Sequence, residues 1–257
     1  DFTDMENFGK EREEWLRGFL ELPNGIPDSD TFRRMFERIE PKELSNCLRD
    51  WLECSREERE LVSIDGKTIR GSKGKGQKAY HVISAFVAEN HITLGELKTE
   101  EKSNEITAVP ELLDLLDIEN CILTADAMSC QKTIAAKIVE KHADYVLSVK
   151  ENQPGLFGDI RDYFAAFSEK CPHNRTVEKG HGRMEQREYF LETDLDWLEQ
   201  KNDWRGLKGI GAVSTYVEER GEVRRDTRYY ITSLTDIGEF SKAVRGHWGI
   251  ENNLHWC

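Results

Sequence analysis

The spacing of apolar and polar positions changes character along this chain. Up to about residue 54 it is helical. Phe8, Trp15, Phe19 and Leu22 share one stripe, closed by the turn residues Pro23, Asn24 and Gly25. Ser29 or Asp30 can cap a second helix that carries Phe32, Met35, Phe36 and Ile39 on one side. Pro41 suits the first turn of a third helix, through Leu44, Leu48, Trp51 and Leu52. Because none of the three shows a basic recognition face, they are expected to form a packing collar rather than a DNA-binding module.

From Glu60 onward short apolar runs replace the helical spacing. ELVSIDGKTIRG, KAYHVISAFVAEN (78–90) and HITLGELKTE (91–100) predict three strands with tight connections, an antiparallel meander. Ile106 to Leu116, with Pro110 early in it, predicts a crossover helix. Cys121, Ile122 and Leu123 then form a run that ends at Asp126. Ile134, Ala135, Ile138 and Val139 follow at helical spacing, and Tyr145, Val146, Leu147 and Val149 make another buried strand. That is a β-α-β unit, whose strands pack parallel in one sheet. A helix from Leu156 to Phe167 precedes a strand-rich stretch, 172–235, with strands in REYFLET (187–193), LKGIGAVSTYVEER (207–220) and RDTRYYITSL (225–234). The last segment is helical through Phe240, Val244, His247, Trp248 and Glu251. Gly246 and Gly249 within it point to a close backbone approach, since each costs about 1 kcal/mol in a helix interior. The expected architecture is α/β: a mixed sheet with flanking helices (56–257), a helical N-terminal appendage (1–55), and 172–235 as a strand-rich insertion or sheet extension.

Composition narrows the class. With 38% hydrophobic and 33% charged residues among 257, the chain is globular rather than disordered. The start DFTDMENFGKEREEW lacks the basic and apolar regions of a signal peptide, and no apolar run nears the roughly 20 residues of a membrane span. The six cysteines are scattered without a C-x-x-C pair, so reduced thiols in a cytoplasmic protein are expected. A net charge of −13 means that contact with nucleic acid must come from local patches. Two exist: KTIRGSKGKGQK (67–78), which has no acid and offers Lys67, Lys73 and Lys75, and the arginine-rich GEVRRDTR (221–228). Either could equally be a solvated loop.

The chemistry is expected where Asp65 and Asp126 end their strands. In the predicted order those strands lie side by side, which brings two carboxylates to the carboxyl edge of the sheet, where such sheets bind ligands. Like charges that close need a proton or a cation, and hard oxygen ligands select Mg²⁺ or Mn²⁺. Alternatives remain: Asp65-Gly66 is a common turn pair, and Asp126 could simply cap the next helix. A third carboxylate would complete a two-metal site of the kind that clamps a phosphodiester, and Glu251 is the candidate. It could also be a surface glutamate.

Five blocks carry a resemblance: IDGKTIRGS (64–72), LTADAMSCQ (123–131), YVLSVKENQ (145–153), KGHGRMEQREY (179–189) and VRGHWGIENNLHW (244–256). Together they resemble bacterial insertion-sequence transposases of the DDE superfamily, in the branch with the H-repeat-associated proteins. The similarity runs over nearly the whole chain. It implies an RNase H-like fold, divalent metal, and DNA cleavage and strand transfer at transposon ends, with a homodimer on DNA conceivable. Asp65, Asp126 and Glu251 match the three acids; in the implied mechanism Asp65 bridges two metals while Asp126 and Glu251 each hold one. Lys150 and Asn152 match a lysine-x-asparagine pair that contacts DNA, and Arg245 joins Lys67, Lys73 and Lys75 as an expected DNA contact. The match departs at Val244 and His247, where relatives often carry tyrosine and arginine, and at a lysine seven residues past Glu251, whose place is beyond Cys257. A truncated or decayed remnant, and a nuclease without strand transfer, are the alternative expectations.

Overall fold

The computed structural model describes residues 1–40, 43, 44, 47, 59–69, 80–87, 92–99, 105–180 and 183–250. The chain divides into two units, Asp1–Arg56 and Glu57–Cys257. Among the described residues no helix is long and apolar enough to cross a membrane. Cys47, Cys121, Cys130 and Cys171 are free thiols.

In the first unit, α1 (Phe2–Glu11) opens with a capping box: the Asp1 carboxylate accepts from Asp4 N–H at 3.0 Å, and the Asp4 side chain reaches back to the Asp1 nitrogen. Here the helical stripe misleads. The predicted single helix breaks at Arg12, and α2 (Glu13–Leu16) is a separate turn. Phe8, Trp15 and Phe19 are exposed within this unit, so burial does not favour one continuous stripe. The cap of α3 (Ser29–Phe36) is Asp28, one residue earlier than expected, accepting from Thr31 N–H at 2.7 Å. Ser29 N–H donates to Glu6 Oε2 at 2.8 Å and ties α3 to α1. The predicted third helix lies largely outside the described residues.

Among the described residues, the second unit is built on one nine-stranded sheet in the order β3-β2-β1-β4-β5-β9-β8-β7-β6. Its first half comprises β1 (Leu61–Ile69), β2 (Tyr80–Val87), β3 (Ile92–Thr99), β4 (Ile122–Ala125) and β5 (Asp144–Val149). The meander β1-β2-β3 is antiparallel, whereas β1, β4 and β5 run parallel, as their crossover helices require. The second half, β6 (His173–Gly180), β7 (Arg183–Glu192), β8 (Gly209–Glu219) and β9 (Glu222–Thr232), is antiparallel. It joins the first through β5 and β9, so the strand-rich region extends the sheet.

Alternation along the strands divides the core between the two faces. Val62 and Ile64 of β1, with Leu123 and Ala125 of β4, pack in the cluster that includes residues of α4 (Glu105–Leu115), α5 (Lys132–Glu140) and α6 (Pro154–Phe167). Leu61 and Ile122 instead join Phe240, Ala243 and Val244 of α7 (Ile237–Ile250). Each fully buried aliphatic side chain contributes about 1.5–3 kcal/mol, enough to fix which face each strand residue takes. Pro110 falls in the second turn of α4, so the helix forgoes an internal hydrogen bond there.

Candidate active site

The parallel register of β1 and β4 pairs Ser63 with Thr124 and Ile64 with Ala125. One step further stand Asp65 and Asp126. The two-residue alternation puts both with Leu61, Ser63, Ile122 and Thr124, on the face that α7 covers. They line one pocket of about 190 Å³, together with Ser148, Lys150, Arg228 and His247.

Asp126 also does what a cap does. Its Oδ1 accepts from Met128 N–H at 3.0 Å and Ser129 N–H at 3.4 Å, closing a 3₁₀ turn, Ala127–Ser129. Both bonds use one oxygen, and Oδ2 takes no part in them. The capping and chemical readings are therefore compatible. Asn152 reinforces the same turn, donating Nδ2 to Ala127 O at 2.6 Å. Gln153 Nε2 donates to Cys130 O at 3.0 Å, so the loop after β5 is stitched to the loop after β4.

Helix α7 closes the pocket. A Cβ on Gly246 would stand 2.1 Å from Leu61 Cδ2, so glycine is what allows the helix to lie this near β1. One residue on, His247 Nδ1 is 2.9 Å from Thr124 Oγ1, which donates to Ser63 Oγ at 3.1 Å. With the threonine proton committed to Ser63, the assignment that completes the chain makes Nδ1–H the donor to Thr124. Burial pulls the His247 pKa down to about 4; the Asp126 charge raises it and Arg228 lowers it. The ring is thus a neutral strut between α7 and β4 at neutral pH.

The other expected contacts differ in setting. Lys150 is exposed at the pocket rim, and Lys67 is half-buried on β1 two residues past Asp65. Arg245 points elsewhere: its guanidinium grips Glu178 of β6 through two bonds, 2.9 and 3.0 Å. Lys73, Lys75 and Glu251 lie outside the described residues. Among the described residues no cluster of three or more His, Cys, Asp or Glu could hold a metal. In the sequence Arg228 is marked only as part of the arginine-rich 221–228 patch, and it, Ser148 and Thr124 are not expected to line this pocket. A signal existed for Arg228: Asp226, Arg228 and Tyr230 alternate on one face of β9, and Tyr230 pairs with Ser148 of β5.

Comparison with known families decides the class. The Transposase DDE domain matches residues 56–257, and a DDE_Tnp_1-associated region matches residues 1–52. The chain belongs to the DDE transposase family. Its relatives include "Putative transposase YncI" of Escherichia coli O157:H7, 41% identical over 100% of this chain and 69% of that protein. "H repeat-associated putative transposase YhhI" of Escherichia coli K12 is 38% identical over 99% of this chain and 71% of its own length. A protein of Xanthobacter autotrophicus described as "Uncharacterized protein in dhlA 3'region" is 38% identical over 91% of this chain and 82% of that one. Within this DDE transposase chain, the mixed sheet with flanking helices accords with the family.

Proposed function

We propose that this transposase chain cleaves DNA at insertion-sequence ends and transfers the freed strand, using a divalent cation on an RNase H-like domain with a helical N-terminal appendage. The observation that carries the reading is the shared pocket of Asp65 and Asp126 at the carboxyl edge of adjacent parallel strands. The donor chemistry fits Mg²⁺ or Mn²⁺: two carboxylates from neighbouring strand ends, one of them with an oxygen outside its capping bonds. Asp65 and Asp126 would hold the metal, with Glu251 as the third acid. When bound, the metal polarises the phosphate and readies an oxygen nucleophile near neutral pH.

The chain's own side chains set the stage for that chemistry. Lys150 and Arg228, the latter paired with Asp226 at 3.0 Å, bring positive charge to the pocket that the acids line, suited to the phosphate oxygens of a strand laid across it. Neutral His247 adds no charge; its bond to Thr124 holds α7, and with it the segment leading to Glu251, against the acid-bearing strands. Asn152 keeps the Asp126 turn in place by its bond to Ala127. The partner is DNA, both transposon ends and target.

The test is a terminal-repeat duplex incubated with the protein, with and without Mg²⁺, scored separately for nicked and for joined product. Metal-dependent nicking followed by joining is the expected result. Nicking without joining would make the chain a nuclease, and no nicking by the folded, DNA-bound protein would overturn the reading.

A further inference from the structure

A second cleft opens beside the acid pocket, and its lining follows strand alternation. Along β7, Arg183, Glu185, Arg187 and Tyr189 share one face. Val213 of β8 pairs with Tyr189 on one side and Arg228 of β9 on the other, while Thr215 links Arg187 to Asp226 in the same way. Helix α7 walls the cleft with Val244 and Arg245, enclosing about 280 Å³. Four arginines line it with Glu185 and Asp226, and Glu178 of β6 pairs with two of them, which leaves one more arginine than carboxylates in a chain whose net charge is −13.

This is a built site rather than a loose basic patch. Arg187 is only 15% exposed and is held by Glu185 and Glu178; Glu178 in turn fixes Arg245. At the floor, the Tyr189 hydroxyl is fully buried and has no hydrogen-bond partner. Leaving a buried hydroxyl unpaired costs its desolvation in full, and such a group calls for a ligand or a water. The cleft is also continuous with the acid pocket: Arg228, Tyr230 and Val244 line both.

We propose that this cleft is a phosphodiester subsite, which holds the backbone of the DNA strand beyond the bond that the acid pocket takes. The inference rests on the proposed function for the identity of the strand. In it the Tyr189 hydroxyl donates to a phosphate oxygen, and Arg183, whose pair with Glu185 uses one nitrogen, donates to a neighbouring phosphate, while the other arginines add positive charge from within their ion pairs. From Arg183 to Tyr189 the face runs about 20 Å at roughly 3.3 Å per residue, longer than one phosphate group. A single small anion would leave most of it empty.

Two variants test it: Tyr189→Phe, which removes only the hydroxyl, and Arg183→Gln, at a side chain that is half exposed. Binding of a fluorescent terminal-repeat duplex is titrated in metal-free buffer at several salt concentrations, alongside melting curves. For Tyr189→Phe we expect an unchanged or higher melting temperature with about tenfold weaker DNA binding. A hydroxyl with a purely structural role would move the melting temperature down instead, and that result would overturn its assignment. Arg183→Gln should flatten the slope of log affinity against log salt by about 0.9 for each phosphate it no longer neutralises. If both variants bind DNA like the parent, the subsite is refuted, whatever the cleavage assay shows. If both weaken binding while the parent never nicks DNA, the subsite stands and the cleavage reading falls. Inorganic phosphate is the control: protection of the parent by phosphate alone, with duplex binding indifferent to both variants, would also overturn the DNA assignment.

Discussion

Gly246 of α7 and Leu61 of β1 are in such close register that the helix could not carry any side chain at that point without one of them moving. The nearest atom to a new Cβ is a methyl of Leu61, which is itself 5% exposed and hemmed in by the α7-side core. Gly246→Ala should therefore lower stability by about 1–2 kcal/mol, the overpacking cost outweighing a helix-propensity gain of about 1 kcal/mol. The double variant with Leu61→Ala should recover part of it in a denaturant-melt cycle. Additive destabilisation would show that the two positions do not press on each other.

Asp126 serves a turn and, in the proposed chemistry, a metal. Asparagine keeps a side-chain oxygen for the Met128 and Ser129 amides but loses the charge, so Asp126→Asn should fold as well as the parent and fail to nick DNA. Alanine loses both, and Asp126→Ala should in addition cost about 1 kcal/mol for the missing cap. Asp65→Asn should match Asp126→Asn in the cleavage assay while duplex binding persists. Cleavage at the parent rate by either asparagine variant removes that residue from the site.

His247 makes metal-free stability depend on acid. Its pKa falls from 6.5 to about 4 on folding, so between those values the unfolded chain takes a proton that the folded chain refuses. The contribution is complete above pH 6.5 and is lost as pH drops toward 4. The shift is worth at most about 3 kcal/mol, reduced to about 1–2 for a partly exposed ring. Denaturant melts of the parent and of His247→Gln across this range should diverge at neutral pH and converge at the acid end. Parallel curves would mean that the ring stays as solvated in the fold as outside it.

Lys150 stands at the pocket rim without burial. Lys150→Gln should leave the melting temperature unchanged and reduce the salt slope of DNA binding by close to one unit, the signature of a single neutralised phosphate. An unchanged slope would assign this lysine to solvent.

Much of the central sheet can be read from sequence because its signals are local. Val62, Ile64, Leu123 and Ala125 sit in short apolar runs that end abruptly at an acid, and the helical spacing after Asp126 dictates a parallel crossover. β6 escaped that reading. His173 to Gly180 is an edge strand with nearly every residue exposed, so it shows no alternation and exists through its pairing with β7. The break at Arg12 was hidden for the opposite reason, since a good apolar stripe is no guarantee that anything buries it. Which cations meet the acids was hidden too: Arg228 reaches the pocket only because β9 docks beside β5 across a long stretch of intervening chain.

That docking orders events in time. A ribosome delivers β1, β4 and β5, with Asp65, Asp126 and Lys150, well before the strand that brings Arg228, and α7 with Gly246 and His247 emerges later still. The acids are synthesised first, and the roof over them and the arginine of β9 follow. A nascent chain that stalls before β9 carries both carboxylates and Lys150 on an open sheet edge, without Arg228 or the cover of α7. For the proposed DNA chemistry, such an unfinished chain would present the acids without the side chains that complete the site.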